Sequence, residues 1–268
     1  HGIGEDTTMT RIMAAGAALL ATTALAQAGG IERSNQSMAI LFEEGTYLQF
    51  GLGFVDPEVS GSAGAAQSGD MAPSYVVPSI SFRSDMTERL SFALILDEHV
   101  GANTDYPAGT GYPAATTTAD LDGRALTALL RYELPSNFSV YGGVRASHVE
   151  GNAFVNFIGP GYNLDVNGGT EYGYVLGAAY EMPEIALRVA LTYNSQIVHT
   201  FTGTDGLTGG VAATNYQTTI PESWMLEAQS GIAEDTLLFG SIRYVDWSDF
   251  QICPTNFPGG GCLVSLSN

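Results

Sequence analysis

Short and long connections alternate along this chain, between segments whose hydrophobicity repeats every second residue. The short ones are at 84–87, 133–137, 181–184 and 233–236. The long ones, rich in Gly and Thr, are at 56–72, 99–122, 148–170 and 198–221. In the stretch ERLSFALILDEHVG, Leu90, Phe92, Leu94 and Leu96 alternate with Ser91, Ala93 and Asp97, and only Ile95 breaks the rhythm. Period two gives a strand one apolar face and one small or polar face. A soluble sandwich would show less polarised connection lengths and few charges on its second face. Short turns at one end and long loops at the other are the pattern of a membrane-spanning β-barrel.

Nine strands are expected on this basis. Their outward residues include Phe50 and Phe54, Val76 and Ile80, Leu94 and Leu96, Leu126 and Leu130, Val140 and Val144. Further along they include Tyr174 and Leu176, Leu187 and Leu191, Trp224 and Leu226, Leu238 and Ile242. The opposite face carries Asp97, Arg131, Arg145, Glu181, Arg188, Glu227 and Arg243. Those charges are costly in a packed core unless paired, but ordinary in a hydrated or plugged lumen. Tyr47, Tyr180, Tyr193, Tyr244 and Trp247 fall at strand ends, where interfacial girdles sit. No later segment has the ~20 apolar residues of a spanning helix. A membrane protein of this sequence is therefore an all-β, antiparallel transmembrane β-barrel.

Composition agrees. Charged residues make up 14% of the chain, against ~25% in a soluble domain. The net charge is −19, and all nine basic residues are arginine. Nucleic acid, which needs a basic footprint, is excluded as a partner. Met9, Thr10 and Arg11 lead into an alanine-rich apolar run at 12–25, with A-x-A sites at 24–26 and 26–28. That is a signal peptide, so residues 1–28 are set apart from the fold. Residues 29–44 lack alternation and read as a short helix or coil whose apolar part is Met38, Ile40, Leu41 and Phe42. Residues 45–268 form the barrel portion. Barrels of this kind use an even strand number, so strands beyond Asn268 are expected. With a secretory signal, Cys253 and Cys262 read as a loop disulfide rather than a redox or metal pair.

Catalytic and metal readings are weak. Asp97, Glu98, His99 and Asp105 offer oxygens for a hard cation, but a polar kink explains them as well. Ser147 and His148 are chain neighbours, and neighbours on a strand face opposite ways, so they form no nucleophile–base pair. No enzyme activity, cofactor or metal is expected.

Three separated blocks carry a family resemblance: GIERSNQSMAILFEEGTYLQFGLGFVDPEVSG at 30–61, LILDEHVGANTDYP at 94–107 and TIPESWMLEAQSGIAEDTLLFGSIRYVDWSDF at 219–250. Together they resemble the FadL-type long-chain fatty acid transporters of Gram-negative outer membranes. The resemblance implies a barrel of about 14 strands around an N-terminal hatch, here 29–44, with Gly51 and Gly53 leaving room for it. It implies a long-chain fatty acid, or another hydrophobic small molecule, bound by Met38, Ile40, Leu41 and Phe42. Arg131 or Arg145 would hold a carboxylate, or else belong to a lumenal charge network. Ligand would leave sideways through a kink in the third strand, at Asp97, Glu98, His99, Val100 and Gly101. The hatch lacks the Asn-Pro-Ala segment of better-known members. Burying an alkyl tail is worth ~0.8 kcal/mol per CH2, so capture by an apolar lumen and release into lipid form a consistent route. The protein is expected to act as a monomer among outer-membrane lipids. A non-specific porin-like channel or a structural barrel is the alternative.

Overall fold

The computed structural model describes residues 31–265. The expected signal peptide and the first two residues of the expected hatch lie outside the described residues. The sheet is built from β1 (Tyr47–Val55), β2 (Tyr75–Asp85), β3 (Leu90–Asp105), β4 (Thr118–Glu133), β5 (Phe138–Val155), β6 (Tyr162–Met182), β7 (Leu187–Asn194), β8 (Ile197–Leu207), β9 (Ala212–Ile220), β10 (Ser223–Ala233) and β11 (Thr236–Val245). Its order is β1-β2-β3-β4-β5-β6-β7-β10-β11, and every ladder is antiparallel. These are the nine expected strands. The β8–β9 hairpin is an addition, paired to the first part of β6.

The face assignment follows the alternation. Phe50, Phe54, Tyr172 and Ile242 are each more than 70% exposed on the outside. Ala93, Thr127 and Val175 are buried on the inside. A soluble protein rarely exposes so continuous an apolar surface; lipid requires one. Aromatic rings cluster at both rims of this band. Phe138 meets Tyr180 at 4.9 Å, and Tyr193 meets Tyr174 at 5.9 Å and Trp224 at 4.9 Å. The short connections are tight turns that place Asn137, Ala186 and Asp235 in the left-handed region.

The long connections are a correction. Half of 99–122 and most of 148–170 and 198–221 is strand, so the true connections are 106–117, 156–161 and 208–211. β6 alone is 21 residues long, whereas ~9–11 tilted residues cross a bilayer. Above the lipid the outer face of a strand meets water and the inner face packs on the protein. In β6 the apolar residues Tyr162, Leu164 and Val166 therefore point inward and Asn163, Asp165 and Asn167 outward, the reverse of the lipid band.

Inside the sheet lie two apolar clusters. The lower one joins Met38, Ile40 and Leu41 to Ile95, Leu129, Tyr141 and Val175. The upper one joins Val100, Val149, Tyr162, Val166, Phe201 and Tyr216. Buried polar residues separate them, including Asp97, His99, Arg145, Ser147 and His199.

Candidate functional site

The wall is interrupted between β2 and β3. Their ladder runs from Asp85↔Ser91 to Ser79↔Asp97 and stops there. β3 continues to Asp105, paired on its other edge with β4. That second ladder slips register between Glu98 and Val100, so His99 is the extra residue of a bulge. A bulge bends its strand and re-aims side chains. The expected kink residues Asp97, Glu98, His99, Val100 and Gly101 thus fall where β3 leaves β2.

The N-terminal segment covers the exposed edge. Gly101 N–H donates to the Ile31 carbonyl (2.8 Å), and Arg33 N–H donates to the His99 carbonyl (3.2 Å). Glu32 stands opposite Val100 as an antiparallel bridge. The Arg33 side chain then spans the break. Its guanidinium bonds Asn103 and pairs with Glu98 at 3.7 Å, both on β3, and lies over the Tyr75 ring on β2 at 3.3 Å. Gly101 supplies the space for this side chain, because a Cβ there would fall 2.7 Å from Arg33 Nε.

From there the segment descends along a line of polar contacts. Glu32 pairs with Arg243 on β11 (2.7 Å). Ser34 Oγ donates to Asp97 (2.6 Å). Gln36 accepts from Arg145, which also donates to Thr127 (2.9 Å). Ser37 donates to Glu227 on β10. Residues Ala39–Phe42 form a single 3-10 turn with Ile40 and Leu41 buried. Arg131 donates to the Leu41 carbonyl (3.2 Å), pairs with Glu133 (3.0 Å) and with Glu181, and sits 4.6 Å from the Phe42 ring. Phe42 meets Tyr141 edge-on at 5.9 Å. The Tyr141 ring occupies the space above Gly177 and reaches Thr192 (2.7 Å).

Met38, Ile40, Leu41 and Phe42 are therefore packed together, and Arg131 and Arg145 are both committed to the segment and the wall. The room expected at Gly51 is taken by the Ser79 side chain of the neighbouring strand, while a Cβ at Gly53 would make only ordinary contact with Val77. Three of the four residues weighed as a cation site engage different partners: Asp97 meets Ser34, Glu98 meets Arg33 and His99 meets Ser147. Among the described residues no acidic, His or Cys group is arranged to hold a metal. His148 faces outward to Thr170 (3.3 Å), while Ser147 is buried and meets His99 (3.1 Å) and His199 (3.0 Å). Cys253 and Cys262 form a disulfide in the stretch after β11, which packs on β9 through Thr255–Thr214 and Thr218–Gln251 contacts.

Arg33 and Tyr75, on which closure of the break turns, were not singled out in the sequence. One signal was there: Arg33 is the sole basic residue within 29–44. A buried arginine must find partners, which marks the segment as one that docks.

Residues 9–267 match the model of a family described as outer membrane protein transport protein (OMPP1/FadL/TodX). The chain belongs to this family. Its place is the outer membrane, as the lipid-facing band requires. No curated protein sequence matches the chain. Among solved structures, a Pseudomonas aeruginosa FadL homologue is similar, with TM-score 0.63 and 15% identity over 83% of this chain and 63% of that one. The Ralstonia pickettii toluene transporter TbuX is similar at TM-score 0.53 and 14% identity, over 77% and 64% of the two chains. A TodX mutant described as a monoaromatic hydrocarbon channel gives TM-score 0.54 and 13% identity, over 78% and 63%. The chain thus spans under two thirds of these FadL/TodX structures, and at such identity the likeness concerns the fold.

Proposed function

We propose that this protein carries hydrophobic small molecules across the outer membrane and releases them sideways, into lipid, through the break between β2 and β3. One observation supports this reading above others. At the height of Asp97 the wall changes from a hydrogen-bonded ladder to a contact with residues 31–33 of the same chain. A ladder in lipid is expensive to open, since each freed backbone group costs several kcal/mol. A segment held by two backbone bonds and side chains opens more cheaply. In this reading residues 29–44 are the hatch and Met38, Ile40, Leu41 and Phe42 form the floor of the ligand path.

The substrate we infer is neutral and apolar, in preference to a long-chain carboxylate. Arg33, Arg131, Arg145 and Arg243 all engage carboxylate, amide, hydroxyl or carbonyl oxygens of the protein, so a carboxylate approaching any of these four would have to displace a protein group. Two of the similar structures are a toluene transporter and a monoaromatic hydrocarbon channel, which fits the same class. An open depression of about 510 Å3 offers no rival site for such a ligand. It lies against Asp122, Glu150, Asn152 and Asp165 and is too polar. The test is uptake by cells expressing the protein, with radiolabelled toluene and oleate compared. Saturable uptake of toluene, with oleate weaker, is expected. Uptake of neither, alongside ion conductance in planar bilayers, would establish a porin-like channel instead.

A further inference from the structure

The wall has a second break. β6 pairs with β7 from Met182↔Leu187 to Val175↔Asn194, and with β8 only from Asn167↔Thr202 upward. Between these ladders, residues 168–173 of β6 face 196–201, and no ladder pair joins them among the described residues. The lower end is pinned where Ser195 N–H donates to the Tyr174 carbonyl (2.9 Å). The register Asp97↔Ala125↔Ser147↔Glu171 places this seam three strands across the sheet from the first break. Tyr172, 73% exposed, marks its outer lip at the top of the lipid band.

Side chains close the seam. Ile197 and Phe201 are buried and lie against two glycines of β6: a Cβ at Gly173 would fall 2.8 Å from Ile197 Cγ1, and one at Gly168 2.9 Å from Phe201 Cε1. Behind Phe201 is the upper apolar cluster, where its ring stacks on Tyr216 at 5.4 Å. A chain of buried polar groups runs along the inside from the first break to the second: His99 at the bulge, Ser147, then His199. Each imidazole turns its Nδ1 to a backbone carbonyl, His99 to Gly123 (3.2 Å) and His199 to Gly168 (3.4 Å), and its Nε2 to Ser147 Oγ. The single Ser147 proton can serve only one of the two.

We propose that this seam is a second lateral passage. An apolar molecule resting in the upper cluster would reach the outer leaflet when Ile197 and Phe201 rotate aside. An unpaired edge at lipid height is costly, and it is retained here where an apolar interior lies directly behind it. The proposal rests on the reading of the protein as a carrier of hydrophobic molecules.

The experiment pairs Gly173→Cys with Ile197→Cys in the full chain, with uptake of radiolabelled toluene measured in cells. Oxidation of the pair is expected to lower the initial rate, and reductant to restore it, while the parent shows no change under either treatment. The reduced double variant, with its heat-shifted band on a gel, shows that the barrel has folded. Phe201→Ala, which widens the seam, is expected to raise the rate. If the oxidised pair transports at the reduced rate and Phe201→Ala matches the parent, the second passage is wrong, although the parent's uptake still supports the first. If the parent takes up no toluene, the carrier reading falls and the seam proposal falls with it.

Discussion

The Arg33 guanidinium lies over the Tyr75 ring, its Cζ 3.3 Å from the centroid, and joins the N-terminal segment to β2 across the gap that β3 leaves. The Arg33 side chain is 4% exposed, so water competes little for its charge. Cation–π contacts are worth ~0.5–1 kcal/mol at exposed sites and ~2 kcal/mol when desolvated. Arg33→Ala, Tyr75→Ala and the double variant, unfolded by denaturant in detergent, are expected to give a coupling energy of ~1–2 kcal/mol. Additive single effects would mean that the stack contributes nothing to closure.

Arg131 separates a structural role from a ligand role. Arg131→Met leaves Glu181 and the Leu41 carbonyl without a donor. Breaking a fully buried pair costs ~3–5 kcal/mol. Glu181 and Glu133 reach water, so about 2 kcal/mol is expected here once solvent screening is allowed for. Both toluene and oleate uptake should fall by the same factor. A loss confined to oleate would make Arg131 a carboxylate anchor.

Glu43, next to the buried turn, gives a pH effect of defined sign. Burial holds its carboxyl above the ordinary value of 4.5, against the opposing pull of Arg188 and Arg83. A group whose pKa is raised on folding contributes stability at low pH, and that contribution is lost as pH rises through the folded value. Glu43→Gln should therefore match the parent in unfolding midpoint at pH 4 and exceed it at pH 8. Equal midpoints at both pH values would show that Glu43 is not desolvated.

The disulfide closes a loop with a sequence separation of 9, for which chain entropy gives ~2–3 kcal/mol. Replacing Cys253 and Cys262 by Ser should loosen this loop on β9 and speed its proteolysis. The heat-shifted band of the barrel should persist. Loss of that band would show that the loop holds the wall together.

The nine wall strands could be read from the sequence because lipid and lumen impose opposite demands on alternate residues, as at the exposed Leu96 and the buried Asp97. The upper halves of β5 and β6 could not, because there the outer face leaves the lipid and carries Glu150, Asn152, Asp165 and Asn167, while the apolar residues Val149, Tyr162, Leu164 and Val166 turn inward. The break after Asp97 showed as a loss of alternation, and it does mark the place where β3 leaves β2. What fills the break was hidden. Arg33 and Tyr75 are 42 positions apart, and neither belongs to a motif. The His99–Ser147–His199 chain was hidden for a similar reason. It joins β3, β5 and β8 across β4 and β6, and the imidazoles lie near the Gly123 and Gly168 carbonyls.

The most direct test locks the segment to the wall. Glu32 and Val100 face each other with the flanking hydrogen bonds on either side, the close pairing geometry that accepts a cross-link. The Glu32→Cys, Val100→Cys protein should take up labelled toluene when reduced and lose most of that uptake when oxidised, with reductant restoring it. Uptake by the oxidised protein at the reduced rate would contradict release through the break between β2 and β3.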